Sequence, residues 1–133
     1  MHYETNENKH PRVTDSNRLK TAHSLFASGL AEEALSMLNL VEGESYRSCE
    51  EFHRLELSCL VCLKRHGEVD RLARALIEKH GHIFQAPWIA LIAALQGGGK
   101  EEEADAVFWE TLSYWPNDPR LVHAANASGG TSN

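Results

Sequence analysis

Apolar residues recur at steps of three and four along most of this chain, and nowhere do they alternate with polar ones over the length of a strand. The pattern predicts helices throughout. Ser16 to Ser28 carries Leu19, Ala22 and Phe26 on one face and stops at Gly29; Ala31 to Val41 carries Ala34, Leu35 and Leu38 and stops at Gly43. A longer helix is expected from Tyr46 to His66, ending at Gly67, and another from Glu68 to His80, ending at Gly81. Pro87 falls in the first turn of the next helix, whose face is Trp88, Leu91, Ile92 and Leu95. The sixth runs from Lys100 to Tyr114, before Pro116, and a short last helix from Asn117 to Asn126 has Asn117 or Asp118 as its cap and Pro119 in its first turn. Residues 1–15 and 127–133 are polar or small and read as flexible ends around a helical domain at 16–126.

Helices of similar length joined by glycine turns suggest a repeat. From Trp88 the chain places Leu91 three residues on, then Leu95, then Ala104 with Phe108 four residues later, and Pro116 at the end. This unit resembles the tetratricopeptide repeat, with Ile92 and Leu95 standing where that family has Gly and Tyr. Upstream, "GLAEEALSML" sets Gly29, Ala34 and Leu38 at the offsets of Gly99, Ala104 and Phe108. Ala34 and Ala104 are 70 positions apart, close to two repeats of ~34. A degenerate middle unit is expected through Leu60, Leu63, Gly67, Leu72 and Leu76, with Leu72 in place of the small residue. The fold class is therefore all-α, a short tetratricopeptide-like superhelix of three helix pairs plus a C-terminal capping helix. Its first helices would line a concave groove suited to a peptide.

Composition narrows the partner. With 13 basic and 19 acidic residues the formal net charge is −6, which disfavours nucleic acid and anionic membrane surfaces. The opening "MHYETNENKHPRVTDSN" lacks the apolar segment of a secretory signal, no run reaches the ~20 apolar residues of a membrane span, and the expectation is a cytoplasmic protein. Three cysteines are an odd number and would remain thiols in a reducing compartment.

Enzyme-like motifs do not survive inspection. "LQGGGKEEE" has Ala94 and Glu101 where a phosphate-binding loop needs glycine and a hydroxyl, and three glutamates crowd the position of the phosphate. Cys59 and Cys62 in "CLVC" have the spacing of redox and metal motifs, but they sit mid-helix in an apolar run, where buried thiols are the simpler reading. Cys62 and His66 share a helical face without visible further ligands. The acid pairs at Glu32-Glu33 and Glu50-Glu51 complement helix dipoles. No catalytic residue, metal or cofactor is expected. Trp109, beside Phe108, fits a core position and an interface equally well.

The order "EEAL", then "RLELSCLVCLKRHG", then "PWIAL" and glycine, resembles the G-type chaperones of type III secretion needle subunits. That resemblance implies a cytoplasmic chaperone that, with a small helical E-type co-chaperone, holds the amphipathic C-terminal helix of a needle subunit and prevents premature polymerisation. It also implies groove residues: Leu19, His23 and Phe26 from the first unit, Arg54, Leu57 and Val61 from the second, Ile89, Ala93 and Gln96 from the third. The alternative is a repeat adaptor that holds a folded partner or a terminal peptide.

Overall fold

Three turns with one geometry set the spacing of the molecule. The computed structural model describes residues 11–132, with side chains described for residues 14–127. Every regular element among them is helical: α1 Pro11–Ala27, α2 Ala31–Leu38, α3 Glu44–Arg47, α4 Glu50–Cys62, α5 His66–His80, α6 Ala86–Gly97, α7 Glu101–Tyr114 and α8 Pro119–Ser132. The turns α1–α2, α4–α5 and α6–α7 each pass through one left-handed residue: Gly29 at φ 85°, Lys64 at φ 58° and Gly99 at φ 79°. The next amide in each reaches back five residues, from Leu30 to the Leu25 carbonyl at 2.9 Å, Arg65 to Leu60 at 3.0 Å and Lys100 to Leu95 at 2.8 Å. These bonds satisfy carbonyls that a helix end leaves open, so each turn is a Schellman stop.

Positions 29, 64 and 99 are 35 apart (64 − 29 and 99 − 64). Five residues beyond each comes a fully buried small or branched side chain, Ala34, Val69 and Ala104, at 0%, 0% and 1% exposure. Close approach of the second helix to the first requires a short side chain there.

This phase corrects the middle unit. The expected turn glycine, Gly67, lies inside the first turn of α5, and Lys64 makes the turn instead. The small-residue position is Val69 rather than Leu72, which is only half-buried. The long helix expected from Tyr46 to His66 is two helices, α3 and α4, with a break at Ser48 and Cys49.

The first helix also begins earlier than expected, at Pro11, where proline is preorganised for a helix start. Asp15, read as part of a flexible arm, is buried: its carboxylate accepts the Gly43 amide at 2.7 Å, the Glu42 amide at 3.2 Å and Arg18 Nη1 at 3.2 Å. It ties α1 to the loop that follows α2. The rest of that arm, residues 1–10, lies outside the described residues. At the other end α8 runs past Asn126, where a flexible tail was expected; Ala124, Ala125 and Ala127 are strong helix formers that carry it on.

Each helix packs on the next across its Schellman turn, α1 on α2, α4 on α5 and α6 on α7, while α2 packs on α4 and α5 on α6. The first helices also touch one another, α1 on α4 and α4 on α6. One apolar core joins them, with Leu19 and Ala22 from α1, Leu38 from α2, Phe52, Leu57 and Cys59 from α4, Val69 from α5 and Leu95 from α6. Trp88 of α6 donates its indole N–H to the Gly81 carbonyl at 3.1 Å, so its polar atom is satisfied inside the core edge. No helix among the described residues is long and apolar enough to cross a membrane.

Candidate partner-binding groove

The first helices of the three pairs lie side by side, and a mainly apolar hollow opens between them. Its volume is about 470 Å³. Phe26 of α1 closes one end; Arg54, Leu57, Ser58, Val61 and Cys62 of α4 form one wall; Ala86, Ile89, Ala90 and Ala93 of α6 form the other; Gln85 and Arg120 close the far end. Ala86, Ala90 and Ala93, with short side chains, keep that wall low.

Six of the nine groove residues expected from sequence line this hollow: Phe26, Arg54, Leu57, Val61, Ile89 and Ala93. The other three stand elsewhere. Leu19 is in the core at 6% exposure, His23 faces the α1–α4 edge with Nε2 2.9 Å from Glu51 Oε2, and Gln96 is exposed near the end of α6, outside the hollow.

Leu57 touches the hollow only as its floor, being 2% exposed. In the 35-residue register its equivalents are Ala22 and Ile92, both buried, whereas the equivalent of His23 and Ala93 is Ser58. One residue of register separates the expected wall position from the observed one, and on a helix that is a rotation of about 100°. Ser58 was findable from the glycine at 29 and the glycine at 99 by halving their separation. Gln85 and Arg120 carry no comparable sequence signal, because the connections that place them lie outside the recurring turns.

The far end is held by polar contacts. Arg120 Nη2 donates to Gln85 Oε1 at 2.9 Å and to Asp118 Oδ2 at 3.1 Å, and Gln85 Nε2 donates to the same Asp118 oxygen at 2.8 Å. The Arg120 guanidinium and the Gln85 amide hold the Asp118 carboxyl well below the usual carboxylate range. Asp118 also caps α8, accepting the Arg120 amide at 2.9 Å, which selects it over Asn117. Arg54, by contrast, has no ion pair among the described residues; its guanidinium carbon stands 5.9 Å from the centre of the buried Phe84 ring.

The cysteine pair divides between two environments. Cys59 is in the core, where burial, then the neighbouring Cys62 and Glu56, push its thiol up to about 11; Cys62 is exposed at the hollow's wall. One helical turn apart on α4, the two thiols differ in burial rather than in face, Cys59 being sealed in the core and Cys62 open to solvent. His66 packs its ring against Gly97 instead of joining Cys62. Among the described residues no group of three or more His, Cys, Asp or Glu side chains converges as a metal site would. Trp109 stands 52% exposed on α7, edge-on to Phe108 at 5.1 Å, away from the hollow's lining.

Comparison with known proteins adds no assignment: no protein-family model, no curated protein and no solved structure matches the chain.

Proposed function

We propose that the protein is a tetratricopeptide-like, non-enzymatic binding module that shields an amphipathic helix of another protein in the hollow between α1, α4 and α6. The observation that carries this is the hollow itself, a mainly apolar concavity built by corresponding positions of successive first helices. A single α-helix is ~10–12 Å across with its side chains, and an apolar stripe of it laid along α4 and α6 would leave water on binding. The 35-residue recurrence of the turns and of the buried small residues supports the repeat reading.

The specific occupant we propose is the C-terminal helix of a type III secretion needle subunit, held in the cytoplasm together with a small helical E-type co-chaperone. The resemblance in "EEAL", "RLELSCLVCLKRHG" and "PWIAL" supports it. A subunit made to polymerise exposes an apolar helical face, and covering that face keeps it monomeric until export. The test is co-expression with the needle subunit and co-chaperone of the same bacterium, followed by size-exclusion chromatography with light scattering. A complex with one copy of each chain is expected, and Ala93→Glu should weaken it by roughly 100-fold by placing a charge against apolar surface. A chain that elutes alone while the needle subunit polymerises refutes the chaperone reading and favours an adaptor with a folded partner.

A further inference from the structure

The charge of the groove is opposite to that of the protein. The chain carries a net −6, yet the lining of the hollow contains two guanidinium groups, Arg54 and Arg120, and no carboxylate. Arg120 is compensated by Asp118 at 3.1 Å. Arg54 is not compensated among the described residues: Glu50 and Glu51, one turn earlier on α4, lie beyond ion-pair reach, and the Glu51 carboxylate instead approaches His23 at 2.9 Å. Nor is Arg54 a freely waving surface charge. Its guanidinium stands over the Phe84 ring, in the same wall as Val61 and Leu57 and across the hollow from Ile89 and Ala93.

We infer that the groove's occupant is an amphipathic helix that carries an aspartate or glutamate at the margin of its apolar face, and that this carboxylate pairs with Arg54. The inference rests on the groove reading and adds to it a polarity and a register. An apolar helix can slide or reverse in an apolar groove at little cost, whereas one fixed cation selects the placement that brings a carboxylate to it. Arginine suits the role, since its planar fork meets a carboxylate through two parallel hydrogen bonds and stays charged at every physiological pH. A helix with lysine at that margin would be rejected, because its charge would be brought up against Arg54 as water is excluded.

A display library of amphipathic helices tests this directly, with leucine and alanine on the apolar face and every margin position randomised. Selection on the full-length protein should enrich Asp and Glu about tenfold over Lys and Arg at one margin position, as expected for a partly desolvated ion pair. Arg54→Gln should abolish that enrichment while binders still emerge, and Arg54→Glu should invert it towards Lys and Arg; Arg54 is exposed, and a thermal melt checks that both variants fold. Ala93→Glu is the separate arm that reports on the groove. Binders that are lost on Ala93→Glu yet show no acidic preference overturn the Arg54 pairing and leave the groove intact. Selection that yields no helices, or helices indifferent to Ala93→Glu, overturns the groove reading and this inference with it.

Discussion

Asp15 offers the sharpest test of how the first helix is held. Its carboxylate is 1% exposed and accepts two backbone amides, Gly43 at 2.7 Å and Glu42 at 3.2 Å, besides Arg18. Hydrogen bonds to a charged acceptor contribute ~1.5–3 kcal/mol each. Glu42 is exposed, so its amide regains water when the carboxylate is removed, whereas Gly43 is half-buried. Counting the Gly43 bond in full and the other two at a fraction, Asp15→Ala should cost roughly 3 kcal/mol. With a urea slope of about 1.5–2 kcal/mol/M, the midpoint falls by ~1.5–2 M. The pH dependence has a definite sign. Burial works against the Asp15 charge, but the Glu42 and Gly43 amides and Arg18 outweigh it and hold the carboxyl below its ordinary value. A depressed carboxyl contributes stability that is present in full above its unfolded pKa of ~3.9 and is lost as pH falls through the folded value. Wild type and Asp15→Ala should therefore differ fully at pH 6 and converge as the solution is acidified below about pH 4. Urea titrations at three or four pH values measure both effects. A midpoint shift under ~0.5 M at pH 6, or a gap that fails to narrow in acid, refutes the anchoring role and returns these residues to a loosely attached arm.

Further expectations follow from the same geometry. Lys64→Gly relieves a left-handed backbone at φ 58° and should stabilise the protein by ~0.5–1 kcal/mol, while Gly67→Ala, whose Cβ would meet nothing nearer than Arg71 Nη1 at 3.8 Å, should gain ~0.5 kcal/mol. Thermal melts of both variants check the placement of the middle turn, and a loss of more than ~1 kcal/mol in either refutes it. Gly43→Ala would bring its Cβ to 2.8 Å from Asp15 Oδ2 and should lower the melting temperature in the wild-type background but not in an Asp15→Ala background, where that oxygen is gone. At pH 8 a thiol reagent should modify exposed Cys62 first and leave Cys59, pushed up to about 11 and buried, unmodified until urea unfolds the chain; equal rates for the two would refute the division of the pair.

Helix content and pairing are written into the apolar periodicity, because a helix that buries one face must repeat its apolar residues every three or four positions. The turns are less openly written. Glycine marks two of the three Schellman stops, at 29 and 99, since the left-handed conformation costs it nothing. At the third the chain tolerates Lys64, and a glycine three residues later, Gly67, draws the eye to the wrong place. The cost of a left-handed lysine, about 1–2 kcal/mol, is small beside the burial of Val69, Ala73 and Leu76 that the correct phase secures along α5. Tertiary packing outranks the local preference, and the preference is what a single sequence displays most plainly. Asp15 misleads for the same reason: an acid beside Thr14 and Ser16 has the composition of a solvated end, and its amide partners at Glu42 and Gly43 are 27 and 28 positions away.

The groove shows where such errors matter for function. A shift of one residue on a helix turns a side chain by about 100°, enough to exchange a wall for a floor. Leu57 and Ser58 are that exchange: the apolar residue attracts attention as a contact for an apolar partner, yet it is committed to the core, and the serine beside it faces the hollow. Substituting Leu57 with glutamate would therefore report on folding, because a carboxylate at a position 2% exposed has no partner to offset its burial. Ile89 and Ala93 are better probes, being half-buried and already open to the hollow. Arg54 is better still for specificity. Its register equivalents, Leu19 and Ile89, are apolar, so this cation breaks the pattern of its own repeat. A charge placed where the neighbouring units supply an aliphatic side chain keeps its contact with the Phe84 ring but has no ion pair among the described residues, and a carboxylate on the occupant we propose would supply one.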